Sequence, residues 1–209
     1  MQAQKIFVTG ISTEVGKTIV SAILVEALKA DYWKPIQAGE LDYSDTHKIQ
    51  NLISNTKTKV FPNSYALKTP MSPHAAAEID GVKVNLKNII EPDTDNHLII
   101  EGAGGLLVPL NDKNTIADII KANYKVVLVS RHYLGSINHS LLSIKYLQNL
   151  GFEVFVIFSG NKHKTTEDII QKMTAVKVLG RINEEKEFSK EVILKYAKQF
   201  ENILKLNKF

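Results

Sequence analysis

The sequence predicts an α/β fold: a single domain with a mostly parallel β-sheet flanked by helices. Three observations carry that prediction. Short apolar, β-branched runs recur at residues 6–8, 98–100, 126–129 and 154–158, with a weaker one at 176–179. They lack strict polar alternation, the pattern of strands covered on both faces. Segments with helical spacing lie between them: Val20, Ile23, Leu24, Ala27 and Leu28 form one apolar stripe, Ile137, Leu141 and Ile144 a second, and Ile193, Ala197, Phe200 and Leu204 a third. Finally, 209 residues at 44% hydrophobic content suffice for one core, and no repeat or composition shift marks a second domain. Strands alternating with helices imply parallel pairing through right-handed crossovers.

The remaining elements are read from local signals. Thr115 and Asp118 have the spacing of a capping box opening a further helix. Asp45 reads as a cap for a helix at residues 47–52, and Ser72 as an N-cap with Pro73 in the first helical position. Between residues 51 and 92 turn residues and charges break any period, which predicts one or two helices among long loops. In an open α/β sheet such loops gather over the carboxyl ends of the strands, where ligands bind.

Composition excludes several function classes. With no cysteine there is no disulfide framework, zinc finger or thiolate nucleophile, and six scattered histidines form no metal-ligand pair. The opening MQAQKIFVTG lacks a signal-peptide pattern, and no stretch approaches the roughly 18 apolar residues of a membrane span, so a cytoplasmic protein without membrane partners is expected. The net charge of +4 is local: residues 1–161 carry 15 basic and 15 acidic side chains, residues 162–209 carry 11 and 7. With two arginines in the chain, the lysine-rich end reads as a solvated helix face, and no nucleic-acid partner is expected.

The strongest motif is TGISTEVGKT at residues 9–18, between the first apolar run and the first amphipathic helix. A phosphate loop needs glycines so that backbone N–H groups can close on an anion. It needs a lysine for the outer phosphates and a hydroxyl for Mg²⁺. Gly16, Lys17 and Thr18 supply these at a helix start, which makes the fold P-loop NTPase-like. Five residues separate Gly10 from Gly16 where the common pattern has four, marking a variant loop. The second glycine cluster, Gly102 to Gly105, has Leu107 where a dinucleotide fingerprint needs its third glycine. Glu101 follows a buried apolar run, and a carboxylate there requires a cation or donor to meet it.

In this order and spacing, several blocks resemble the dethiobiotin synthetases over nearly the whole chain. They are the loop at 9–18, KPIQAG at 34–39, Ser44-Asp45, Ser72-Pro73-His74, EGAGG at 101–105 and LGSINH at 134–139. The resemblance implies a cytoplasmic homodimeric ligase that converts 7,8-diaminopelargonate, CO₂ and MgATP to dethiobiotin, ADP and phosphate. The route runs through a carbamate and a carbamic-phosphoric anhydride. Lys17 and Lys34 are then the catalytic cations, although Lys34 beside Trp33 and Pro35 reads in isolation as a snorkelling surface lysine. Thr18, Asp45 and Glu101 would hold Mg²⁺. Nucleotide binding falls to Thr13, Glu14, Val15, Gly16, Lys17, Thr18, Ile19, Asp45, Glu101, Gly102, Ala103, Gly104, Gly160, Asn161 and Asn183. Substrate binding falls to Thr13, Lys34, Ala38, Ser136, Ile137 and Asn138, with the last three reaching the partner subunit's substrate carboxylate.

Three positions depart from the pattern. Ala38 replaces the usual hydroxyl residue, Asn161 sits one place late for the adenine-reading Asn, and Asn183 replaces a proline, which leaves nucleotide preference open. Two rival readings are an amidoligase-related enzyme and a partitioning-type nucleotide-switch ATPase. The first carries an additional glutaminase region for which 209 residues leave no room. The second has an early loop lysine where this chain has Ile11 and Ser12.

Overall fold

The computed structural model describes residues 3–209; Met1 and Gln2 of the opening segment lie outside the described residues. The strands are β1 (Lys5–Gly10), β2 (Asp31–Trp33), β3 (Ile36–Ala38), β4 (Val60–Phe61), β5 (Tyr65–Leu67), β6 (Leu98–Gly105), β7 (Lys125–Arg131), β8 (Val154–Ser159) and β9 (Lys177–Ile182). The helices are α1 (Lys17–Leu28), α2 (Asp45–Leu52), α3 (Pro73–Ile79), α4 (Ser136–Asn149), α5 (Lys164–Thr174) and α6 (Lys190–Leu206). Seven strands form one parallel sheet in the order β4-β2-β6-β1-β7-β8-β9, and β3 pairs with β5 in a small parallel ribbon. Central β1 sets Phe7 opposite Ile100 on one side and Val126 on the other. Ile6, Phe7 and Val8 are fully buried, as their unbroken apolar run requires of a strand covered on both faces.

Topology places the site. From β1 the chain crosses through α1 towards β2, whereas from β7 it crosses through α4 to β8 and through α5 to β9, in the opposite direction. Right-handed crossovers therefore put α1 and the α4–α5 pair on opposite faces, with α6 and α2 packed beside α1. Neighbouring strands that lead away in opposite directions open a crevice at their carboxyl ends, and the loop after β1 stands there.

Local expectations needed three corrections. The capping box at Thr115 is present, with its N–H donating to Asp118 Oδ2 at 2.6 Å, but it opens a 3-10 turn, Ile116–Ile119, because Ile120 is already extended. On α4 the buried face is Ser136, Ser140, Ile144 and Leu147, and Ile137 is exposed. Ser140 faces inward because its hydroxyl pairs with that of Ser130 at 2.8 Å. Asp45 is the first residue of α2, not its cap; Ser44 holds the cap position, and its N–H donates to His47 Nδ1 at 3.1 Å. Between residues 51 and 92 lie β4, β5, α3 and a 3-10 turn at Leu86–Asn88, with Ser72 and Pro73 starting α3 as expected. No helix among the described residues is long and apolar enough to cross a membrane.

Candidate active site

The loop between β1 and α1 folds because its glycines allow contacts that no side chain would. A Cβ on Gly10 would lie 2.5 Å from Val15 Cγ2 and 2.9 Å from the Ser12 carbonyl oxygen. Gly16, at φ 94°, holds the left-handed conformation that turns the chain into α1. No side chain caps α1, so its first-turn N–H groups remain for an anion. Lys17 is buried and donates to the Ser12 carbonyl at 3.0 Å. Burial pulls its ammonium down to a pKa of about 8 and Lys34 adds to the fall, against the opposing pull of Glu101 and Asp45.

Facing the loop is a buried charge cluster assembled from four elements. Lys34 directly follows β2 and is 5% exposed; its ammonium donates to Glu101 Oε1 at 3.1 Å and to Asp45 Oδ2. The same Glu101 oxygen accepts from Thr18 Oγ1 at 2.9 Å, and Glu101 Oε2 accepts from the Tyr32 hydroxyl at 2.9 Å. Asp45 Oδ1 accepts from Lys48 at 3.3 Å, and Lys48 also donates to Glu40 at 2.7 Å. Burial alone would lower the Lys34 pKa, but the two carboxylates outweigh it and hold the group protonated, above the ordinary lysine value. Burial likewise raises Asp45, and Lys34 with Lys48 reverses this to a net fall. The snorkelling reading of Lys34 fails because the carboxylates draw its ammonium inward.

Loop and cluster together line one cavity of about 820 Å³, within the usual range of a ligand site. The structure brings Thr13, Glu14, Gly16, Lys17, Thr18, Ile19, Lys34, Ala38, Asp45, Glu101, Ala103 and Gly104 to its wall. Val15 instead packs its side chain beneath Gly10, and Gly102 lies against the Phe7 ring, 3.1 Å from where a Cβ would stand. Gly160 and Asn183 line a smaller cavity of about 50 Å³ that shares Gly16 and Ile19 with the large one and is flanked by the Arg131–Glu184 pair, 2.6 Å apart. Asn161 is exposed and lines neither cavity, nor do Ser136, Ile137 and Asn138 at the start of α4. His74 bonds to Ser72 at 3.1 Å and stays outside both.

Sequence reasoning missed Tyr32 and Lys48. The second carried a signal, three residues after Asp45 on one helix face. Tyr32 carried none, since an aromatic residue in a short strand serves a core equally well.

The chain is similar to known proteins along nearly its whole length. Residues 4–192 match the family model described as an AAA domain. The chain is 60% identical to the ATP-dependent dethiobiotin synthetase BioD of Christiangramia forsetii over 93% of this chain and 94% of that one. The chain belongs to the dethiobiotin synthetase family. The corresponding synthetase of Cytophaga hutchinsonii is 49% identical over 95% of this chain and 98% of its own length. Membership makes the chain an ATP-dependent ligase. A plasmid partition protein from Borrelia burgdorferi shares the fold over the full length of both chains, with TM-score 0.60 at 16% identity. That likeness speaks for the fold of this synthetase-family chain and for nothing further.

Proposed function

We propose that the chain joins 7,8-diaminopelargonate to CO₂ at the expense of ATP, giving dethiobiotin, ADP and phosphate. One observation carries the reading: a buried lysine, Lys34, held between Asp45 and Glu101 on the wall of the cavity that the phosphate loop also lines. One amine of the diamine captures CO₂ and loses a proton to solvent, leaving a carbamate. A carbamate oxygen attacks the γ-phosphorus, the bond to the β–γ bridging oxygen breaks, and ADP leaves. The second amine attacks the resulting carbamic-phosphoric anhydride at its carbonyl and gives up a proton to solvent, closing the ureido ring and expelling phosphate.

Every stage concentrates negative charge, so positioned cations and backbone donors supply most of the rate. Lys17 and the free N–H groups of α1 bind the outer phosphates; Lys34 meets the carbamate and the transferring phosphoryl group. Mg²⁺ favours hard oxygen ligands, and the Thr18 hydroxyl with the Asp45 and Glu101 carboxylates is such a donor set: both carboxylates meet the Lys34 ammonium, and Thr18 meets Glu101. When bound it offsets the phosphate charge. Ala38 brings no hydroxyl to the substrate, so that contact passes to backbone or water. Gly160 and Asn183 take the base end, beside Gly16.

A homodimer with shared sites belongs to the same reading. Ser136, Ile137 and Asn138 stand outside their own chain's cavity, at the start of a helix beside exposed Leu134. Such residues serve a partner's substrate carboxylate. Incubation with diaminopelargonate, bicarbonate and MgATP should give a product of dethiobiotin mass, with ADP released when both small substrates are present. ADP release without them, and no such product, would refute the reading.

A further inference from the structure

We infer that Tyr32 is a positioning residue for the reaction, acting through Glu101; this rests on the reading of Glu101 as a Mg²⁺ ligand. Tyr32 is fully buried in β2 and does not line the cavity, whereas Glu101 is 1% exposed and does. Glu101 therefore stands between the phenol and the reacting groups. Its two oxygens have separate duties. Oε1 accepts from Thr18 at 2.9 Å and from Lys34 at 3.1 Å, while among the described residues Oε2 meets the Tyr32 hydroxyl, at 2.9 Å.

A carboxylate on a strand can turn about its terminal bond, a broad torsion that does not by itself fix the plane of the group. Tyr32 removes that freedom. The ring is clamped in the core, its hydroxyl donates to one oxygen, and the other is thereby aimed at Thr18 and Lys34. A phenol buried against a carboxylate would otherwise go without a partner, and Glu101 would have a buried lone-pair face with none. Partners of this kind set the orientation of metal-binding carboxylates, and removing one commonly costs 10–100-fold in metal affinity or activity.

The test is Tyr32→Phe, with ADP binding measured by calorimetry with and without Mg²⁺. Metal-free ADP affinity should stay within about twofold of the parent, and the gain in affinity on adding Mg²⁺ should shrink roughly tenfold. In turnover, kcat should fall by a similar factor with the KM for diamine unchanged. An undiminished Mg²⁺ gain, or equal losses with and without metal, overturns the role, since a packing defect would not distinguish the two conditions. Tyr32→Met, which fills the site without a hydroxyl, should repeat the result, and failure of both variants to fold would make Tyr32 a core residue and overturn the role. Glu101→Gln, run beside them, separates the two ideas. If it retains the full Mg²⁺ gain, the metal reading fails and takes this role with it. If it loses the gain while Tyr32→Phe keeps it, the positioning role alone fails.

Discussion

Lys17 and Lys34 are both buried, yet the chain holds them differently, and their variants should fail differently. Lys17 rests on a backbone carbonyl of its own loop, a weak hold from which a phosphate can draw it. Lys17→Ala should weaken ATP binding by roughly 10–100-fold, as loss of a charge-assisted hydrogen bond implies, and stop turnover. Lys34 is fixed by two carboxylates, and in the proposed reaction it meets its target charge after carbamate forms. Lys34→Ala should leave ATP affinity close to the parent and lower kcat by on the order of 10²–10³, as removal of a preorganised donor does. Binding by calorimetry and single-turnover kinetics decide between the two; normal turnover in Lys34→Ala would refute its assignment. Asp45→Asn and Glu101→Gln keep size and remove charge. Each should raise the Mg²⁺ concentration for half-maximal turnover by about tenfold or more, and unchanged titrations in both would remove them as ligands.

At the scale of elements, the site depends on how strand ends are tied. At the opposite end of the sheet, Glu91 accepts from Lys5 at the start of β1 and, just before β7, from Tyr124 and from Lys121 at 2.8 Å. One carboxylate thus fastens the approach to β6 onto β1, the strand that leads into the phosphate loop, and onto the approach to its other neighbour, β7. Burial opposes its charge, but the lysines and the phenol win and bring its pKa down to about 2. The folded value lies below the ordinary one, so between roughly pH 2 and 4.5 the unfolded chain binds more protons and stability rises with pH. The contribution is complete above about pH 4.5 and lost as pH falls towards 2. Glu91→Gln should melt lower than the parent at pH 7, by roughly 2–4 °C for each ~1 kcal/mol lost in a domain this size. The two melting curves should converge on acidification. Parallel profiles would show that Glu91 stabilises by packing and not by charge.

For the whole molecule the question is assembly. Leu134 is fully exposed and Leu142 is 62% exposed, on and beside α4, which also carries Asn138. In an isologous dimer both copies bury the same face, so each could complete the other's site. Asn138→Ala should raise the KM for diamine several-fold with ATP affinity retained. Mixed with inactive Lys34→Ala chains, it should regain activity, since some mixed dimers contain one site with both residues intact. Sedimentation showing a fully active monomer, or no rescue in verified mixed dimers, would refute a shared site.

The sequence by itself determined five of the sheet's seven strands (β1, β6, β7, β8 and β9), α1, α6 and the phosphate loop. A buried parallel strand, an apolar stripe and a glycine turn are each written in adjacent residues, and local sterics decide them. Asp45 and Thr115 were legible as helix-start signals, but the cap position and the helix length were settled by what lies beyond the first turn. The face of α4 went to two serines because the Ser130–Ser140 bond pairs residues ten apart across a strand and a helix. The charge cluster is further from the reach of sequence. Tyr32 and Glu101 are 69 residues apart, Lys34 and Glu101 are 67, and no pattern in either segment specifies the other. Family resemblance could point to Lys34; it took the pairing of β2 with β6 to set a phenol and an ammonium, and the start of α1 to add a hydroxyl, around one buried carboxylate. A buried charge is tolerated when its partners converge in space, and convergence is a property of the fold.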